Sequence, residues 1–293
     1  MSKISTNYLK NSLVLTIAIS ISTILATSVK ALQVQVSPTK PRLGDTLTVI
    51  VTPDALGTPS APLITINEKT YPAFEVAPNK YRAFLPTTPL QKPGTRKLQI
   101  QAGAETKQLS VQISNRKFPI QRIRLSPGKA GLEATKHELT RVAELKALKT
   151  PQKFWNGAFL KPNKGRISTI YGVRRYYNGK FAHDYYHRGV DYAGATGSPV
   201  MAPANGRIAL VGRVNQGFRV HGNIIGIDHG QGVITTYLHL SRISVKEGDF
   251  VKSGQVIGAV GSTGAVTGPH LHWGLYVQGE SVDPTPWRNS KFN

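Results

Sequence analysis

The 293-residue chain contains no cysteine. Disulfides, thiolate metal sites and a lipid-modified cysteine are therefore excluded, and any metal must sit on His, Asp or Glu. Acidic residues are also scarce: 15 Asp and Glu against 37 Lys and Arg leave a formal charge of +22. A field of that sign concentrates anionic polymers or surfaces. A long apolar run is missing as well. The N-terminal one, Leu13 to Ala26, spans 14 residues, short of the roughly 20 that a bilayer-spanning helix needs. It follows Lys3 and Lys10 and precedes Val29-Lys30-Ala31, the pattern of an export signal. Residues 1–31 are thus read as a signal segment, with no stable membrane span after its removal. Export also argues against nucleic acid as the partner of the basic surface and favours anionic envelope polymers.

What is present divides the remainder into three parts, and the fold class predicted is mostly β. Over 32–115, Leu32-Gln-Val34-Gln-Val36, Leu47-Thr-Val49-Ile-Val51, Leu98-Gln-Ile100 and Leu109-Ser-Val111-Gln-Ile113 alternate apolar and polar residues, the period of half-buried strands. Turn residues between them predict a small antiparallel sandwich, immunoglobulin-like in pattern only, because the disulfide and its companion Trp are missing. This part carries no catalytic constellation and reads as a spacer or wall-facing module. Residues 116–154 read as a linker with one helix. Its first stretch suits a strand-like crossover. The helix is signalled by Thr135-Lys-His-Glu138 as a capping box, an apolar stripe at Leu139, Val142, Ala143 and Leu145, and Pro151 beyond its end. His137-Glu138-Leu139-Thr140-Arg141 begins like the His-Glu-x-x-His zinc motif, but a cation stands where the second ligand would be. The segment is read as a solvated helix face. Residues 155–293 are rich in Gly and β-branched residues, with strand-like runs at 166–171, 206–211, 224–228, 233–240, 256–260 and 271–277, and predict a mostly antiparallel sheet.

All histidines except His137 lie in this last part. His270 and His272 are two apart in a strand-like run, so both project from one face with α-carbons about 7 Å apart. His187 and Asp191 are four apart, about 13 Å on a straight strand. Sharing an ion requires a bend there, which Gly189 permits. His239 shares a strand face with Thr235 and Tyr237. His183, His221 and His229 lie beside glycines or in polar turns and read as structural or surface residues.

In order, the chain carries Arg166-Ile-Ser-Thr-Ile-Tyr171-Gly-Val-Arg174, His187-Arg-Gly-Val-Asp191, Gly197-Ser-Pro-Val-Met-Ala202 and Gly222-Asn223-Ile-Ile-Gly-Ile-Asp228-His-Gly230. Thr236-Tyr-Leu-His239-Leu-Ser241, Val245-Lys-Glu-Gly248 to Gly258, Gly261-Ser-Thr-Gly264 and Gly268-Pro-His270-Leu-His272 follow. This succession resembles the M23 family of zinc metallopeptidases, the LytM and lysostaphin-like peptidoglycan endopeptidases, over nearly all of the last part.

The resemblance implies one zinc ion held by His187, Asp191 and His272, with His239 and His270 facing the attacking water and the scissile carbonyl. Two neutral imidazoles and a carboxylate suit that ion and leave a position open. With no glutamate base evident, an imidazole near its natural pKa of about 6.5 can take the proton. The division of labour between His239 and His270 stays open. The implied protein is an exported metalloendopeptidase of the bacterial periplasm or cell wall that cuts peptide bonds in peptidoglycan stems or cross-links. Arg174 and Arg188 are candidate partners for stem-peptide carboxylates. The alternative is a non-catalytic wall-binding or amidase-activating protein on the same fold, which loss of these residues would favour; all are present. Val245 to Gly258 also resembles a biotinyl or lipoyl carrier hairpin, but no Met-Lys-Met lysine accompanies it. One departure stands out: where many family members have Gly-Tyr-Gly-Asn, this chain has Phe218-Arg219-Val220-His221-Gly222-Asn223, which bears on loop shape and cleft selectivity.

Overall fold

The computed structural model describes residues 1–2, 32–53, 60–130, 132–289 and 292. The export-signal reading falls, from residue 3 onward, outside the described residues. Among the described residues, no helix is long and apolar enough to cross a membrane.

The alternating segments of the N-terminal part form β1 (Gln33–Ser37), β2 (Thr46–Thr52), β3 (Leu63–Ile66), β4 (Lys69–Pro72), β5 (Phe74–Ala77), β6 (Lys80–Pro86), β7 (Gly94–Ala102) and β8 (Glu105–Ile113). They make two four-stranded antiparallel sheets, ordered β1-β2-β6-β5 and β4-β3-β7-β8. Leu47, Val49, Val51, Ile64, Leu98 and Ile100 point inward and close one core between the sheets. In β2, β7 and β8 apolar residues recur at every second position, so one face of these strands is the buried one and the register is specified.

The connecting stretch contains β9 (Ile120–Ile123), a short α1 (Pro127–Ala130) and α2 (Lys136–Ala147). After it come β10 (Ile167–Thr169), β11 (Arg174–Tyr177), β12 (Lys180–Phe181), β13 (Val190–Ala193), β14 (Pro199–Met201), β15 (Gly206–Gly212), β16 (Ile224–Asp228) and β17 (Val233–Leu238). The last elements are β18 (Arg242–Ile243), β19 (Phe250–Val251), β20 (Val256–Ala259), β21 (His270–Val277), β22 (Glu280–Val282) and α3 (Thr285–Asn289). The main sheet runs β10-β13-β21-β17-β16-β15-β19, with β22 on β21. Two three-stranded sheets, β12-β11-β9 and β14-β20-β18, flank it. Among the named strands of the described residues, β9 is the exception to antiparallel pairing: it lies parallel to β11, so the connecting stretch donates a strand to the C-terminal part.

Strand β21 decides where the chemistry goes. Leu271, Trp273, Leu275 and Val277 turn into the main core together with Val190, Tyr192, Ile225, Ile227 and Tyr237. The period of two then puts His270, His272 and Tyr276 on the opposite face. Helix α2 packs on that second face, where Val142 and Leu145 meet Leu210, Phe218, Ile224 and Ile234. The sheet is thus buried on one side and forms a cleft floor on the other.

The sandwich is joined to this sheet by packing as well as by chain. Residues Ala31–Asn293 form one compact unit. Phe84, on β6, belongs to the main core, with its ring centroid 5.3 Å from that of Trp287 and 6.1 Å from that of Trp155. The Trp287 indole donates to Thr46 Oγ1 at 3.1 Å, and the buried Arg82 donates to Gln231 Oε1 at 2.5 Å and to the Phe292 carbonyl at 3.0 Å.

Candidate active site

The bend needed between His187 and Asp191 is present. His187 lies in the loop before β13, and Asp191 lies on β13 directly across from His272 on β21. Gly189 sits between them without a left-handed φ; what it provides is space. A Cβ there would lie 2.4 Å from the Trp273 carbonyl oxygen and 2.8 Å from His272 Nε2.

Three donor atoms converge as a result. His187 Nε2 is 2.9 Å from Asp191 Oδ1 and 3.0 Å from His272 Nδ1, and His272 Nδ1 is 2.9 Å from the same Oδ1. All three residues are buried, and they form a group able to hold a metal ion. The His187 Nδ1–H donates to the Ile170 carbonyl at 2.8 Å, which fixes the tautomer that leaves the Nε2 lone pair facing the centre. Burial alone would raise the Asp191 carboxyl, but His187 and His272 hold it well below the usual range. Burial pushes His272 down to about 4, with Asp191 opposing. Two neutral imidazoles and a carboxylate, with no sulfur, are a donor set that fits zinc.

Beside this group stand the other two imidazoles. The ring centroid of His239 is 5.1 Å from that of His270 and 6.2 Å from that of His272. His239 Nδ1–H donates to the Thr263 carbonyl and His270 Nδ1–H to the Gly268 carbonyl, both at 2.9 Å. Each therefore keeps Nε2 available, and His270 Nε2 lies 3.8 Å from Asp191 Oδ1. His239 is buried and His270 half-buried. Burial first, then the neighbouring His270 and His272, holds His239 well below the ordinary imidazole value. The four histidines and Asp191 named from the sequence are thus brought together at one cleft of about 1040 Å³.

The charged lining of that cleft is one-sided: Arg122, Arg124, Arg175 and Arg188 face it, against Asp191 as the acid. Arg188 rests over the rings of Tyr185 and Tyr186. Arg174 lies outside the lining, donating to the Tyr185 and His183 carbonyls at 3.1 and 2.5 Å. Its neighbour Arg175 is the residue that sequence reasoning missed. Its Nη2 is 3.6 Å from Asp191 Oδ2, and its other nitrogens donate to Gln121 Oε1 and the Tyr177 hydroxyl. Alternation along β11 sends Arg175 and Tyr177 to the cleft.

Helix α2 departs from its sequence reading. Thr135 caps it by accepting from the Glu138 amide at 3.1 Å, but the Glu138 carboxylate does not return to the helix start. It is fully buried and accepts from the backbone of Arg219, Val220 and His221. The face read as solvated is so for His137, which is exposed, and not for Glu138. Leu139, expected on the apolar stripe, is 57% exposed at the cleft wall.

Of the remaining histidines, His229 is buried between the Asn205 carbonyl and Thr235 Oγ1, each at 2.8 Å. Burial pushes it down to about 4. An unfolded imidazole titrates near about 6.5, so the unfolded chain takes up a proton that the folded chain refuses. Its stability contribution is full above about pH 6.5 and is lost toward pH 4, at about 1.4 kcal/mol per pH unit. Thermal melts between pH 7 and 5 should therefore fall less steeply for His229→Gln than for the parent, and equal slopes would refute this. His239 and His272 act on both proteins alike, so the difference in slope isolates His229.

The stretch that carries this constellation is also the one that matches known proteins. Residues 185–284 match the model of peptidase family M23. Over 120 residues the chain is 44% identical to the DD-carboxypeptidase/endopeptidase Mpg of Neisseria meningitidis serogroup B, covering 41% of this chain and 26% of that one. Over 109 residues it is 44% identical to lysostaphin of Staphylococcus staphylolyticus, covering 36% of this chain and 22% of that one. A crystal structure from Pseudomonas aeruginosa assigned to peptidase M23 superposes with a TM-score of 0.62 at 27% identity, covering 86% of this chain and 96% of that one. The chain spans about a quarter of the length of the curated relatives it matches. It carries a peptidase family M23 domain.

Proposed function

We propose that the protein is an exported, zinc-dependent endopeptidase that hydrolyses peptide bonds in the stems or cross-links of peptidoglycan. The observation that carries this is the convergence of His187 Nε2, Asp191 Oδ1 and His272 Nδ1 to 2.9–3.0 Å of one another on a cleft floor. These three residues would hold the ion. Zinc, when bound, supplies Lewis acidity toward water and carbonyl oxygen.

The chain's own residues do the rest. His239, with Nδ1–H committed to the Thr263 carbonyl, presents a lone pair on Nε2 and takes the proton of the attacking water. His270, half-buried beside it with Nδ1 committed to the Gly268 carbonyl, turns Nε2 to the cleft and, when that nitrogen carries a proton, steadies the negative oxygen that develops on the scissile carbonyl. The arginines of the cleft attract carboxylate-bearing peptides, and the net charge, +19 once residues 1–31 with Lys3, Lys10 and Lys30 are removed, holds the protein on anionic envelope polymers. The relatives' names, which include Peptidoglycan DD-endopeptidase ShyC from Vibrio cholerae, support peptidoglycan as substrate and the bacterial envelope as its place. A non-catalytic binding role is disfavoured because the constellation is complete.

The test is mass spectrometry of muropeptides released from defined sacculi by the purified chain, with and without 1,10-phenanthroline. Release should stop with the chelator and return with added zinc. Release that continues in its presence would sink the metalloenzyme reading.

A further inference from the structure

Helix α2 lies in the stretch that reads as a linker, yet its first turn grips the loop 217–221 residue by residue. Thr135 Oγ1–H donates to the Gly217 carbonyl at 3.0 Å, and the His137 ring meets Phe218 edge-on at 5.7 Å. Glu138 Oε2 accepts from the Arg219 amide at 3.0 Å. Its Oε1 accepts from the Val220 amide at 3.1 Å, the His221 amide at 2.7 Å and His221 Nδ1 at 2.5 Å. Three consecutive amides and an imidazole thus converge on one buried carboxylate.

The gripped loop in turn holds His239. The His221 carbonyl accepts from the His239 amide at 3.1 Å. The Val220 carbonyl accepts from Ala265 and the Asn223 amide donates to Thr263 Oγ1, both at 3.0 Å. These bonds place the Thr263 carbonyl that orients the His239 ring. His239 has a φ of +65°, a left-handed conformation that a non-glycine residue keeps only when its surroundings impose it. β17 ends at Leu238, so His239 lies just past the strand face on which its sequence placed it with Thr235 and Tyr237. Its amide is held by the His221 carbonyl, its own carbonyl by the Thr263 amide at 3.5 Å and the next amide by the Asn223 carbonyl at 3.0 Å.

We infer that Glu138 is a positioning residue for the reaction: by fixing the 219–221 backbone it sets the conformation and tautomer of His239, and so makes α2 part of the active site. The inference rests on the reading of His239 as an imidazole of the reaction. Burial by itself would raise the Glu138 carboxyl, but the His221 ring, the His221 and Val220 amides and the His221 charge bring it down to about 2. It therefore stays a charged acceptor throughout the neutral range, and the four donors compensate its burial. The loop it holds is the one in which this chain departs from the Gly-Tyr-Gly-Asn pattern, with His221 as one of those donors.

The experiment compares the zinc-loaded full chain with Glu138→Gln and Glu138→Asp. Its readouts are zinc content, kcat and KM for a soluble muropeptide dimer, and the His239 tautomer from nitrogen-15 shifts of the imidazoles. The glutamine amide would turn N–H groups toward N–H donors, loosening the loop. Displacements of about 1 Å at a catalytic group cost up to about 10²-fold, so Glu138→Gln should lose 10- to 100-fold in kcat. Zinc content and KM should be unchanged and His239 should no longer be fixed in the Nδ1–H form. Glu138→Asp, with its carboxylate withdrawn by one methylene, should be intermediate and carries the comparison if the glutamine variant fails to fold. Variants that keep both the parent kcat and the fixed tautomer overturn the inference. So does a loss of kcat that follows zinc loss with the tautomer unchanged. Failure of the parent itself to cleave would refute the proposed function instead, and the tautomer comparison would still decide the role of Glu138.

Discussion

Replacing His187 or His272 by alanine should remove bound zinc and abolish muropeptide release together, whereas His270→Ala should keep the ion and lose turnover. The difference follows from position on the sheet. His187 Nε2 and His272 Nδ1 are 3.0 Å apart and share Asp191 Oδ1, so deleting either leaves two donors where zinc needs three from the protein. His270 Nε2 stands off at 3.8 Å from that oxygen and is anchored by its own bond to the Gly268 carbonyl. It can be removed without disturbing the converging atoms. Zinc content should fall to near zero in the first two variants and stay at one ion per chain in the third. The third should lose about 10²- to 10³-fold in kcat, the range for removing one donor to a developing oxyanion. Full activity in His272→Ala, or zinc lost from His270→Ala, would contradict the assignment.

Much of this geometry was legible because β21 obeys its period. Leu271, Trp273 and Leu275 are apolar and alternate with His270, His272 and Gly274, so one strand states both the core face and the cleft face. The same holds for β2 and β7 in the sandwich. Strands that lacked alternation were not legible: Pro199–Met201 and Phe250–Val251 have three and two residues, too few to show a period, and exist through their partners β20 and β15. The parallel pairing of β9 with β11 leaves no local signal either, because it joins segments about fifty residues apart in the chain.

The site was legible where a motif carried it and illegible where tertiary contact decided. Arg174 and Arg175 are chemically equal in sequence, and only the phase of β11 tells which one reaches Asp191. Glu138 satisfied a capping pattern, and the helix is indeed capped by Thr135. The local rule named the helix start correctly and misassigned the carboxylate, because three amides from residues 219–221 offered it stronger partners than the helix's own first N–H.

Substituting Gly189 by alanine should be the most damaging change of a single methyl group at this site. Gly189 lies between a ligand candidate and β13, where Val190 pairs with Trp273 and Asp191 with His272. Its φ is one that alanine can adopt, so strain in the backbone is not the reason. An added Cβ would sit 2.4 Å from the Trp273 oxygen, 2.8 Å from the Trp273 carbonyl carbon and 2.8 Å from His272 Nε2. Two of these are backbone atoms in the middle of the main sheet, which cannot yield as a flexible side chain would. The relief available is to part β13 from β21, and that separates Asp191 from His272. Zinc affinity should fall by about 10- to 100-fold, as for loss of groups that orient metal ligands, and thermal stability should fall with it. Gly268→Ala is the matched control: it is two residues from His270 and a Cβ there meets nothing within 4 Å, so zinc affinity and melting temperature should stay at the parent values. Competition titration against a chromogenic chelator reads the affinities, and thermal melts read the stability. Equal affinities for Gly189→Ala and the parent would show that β13 and β21 have room to spare and that the close approach does not hold the donor atoms together.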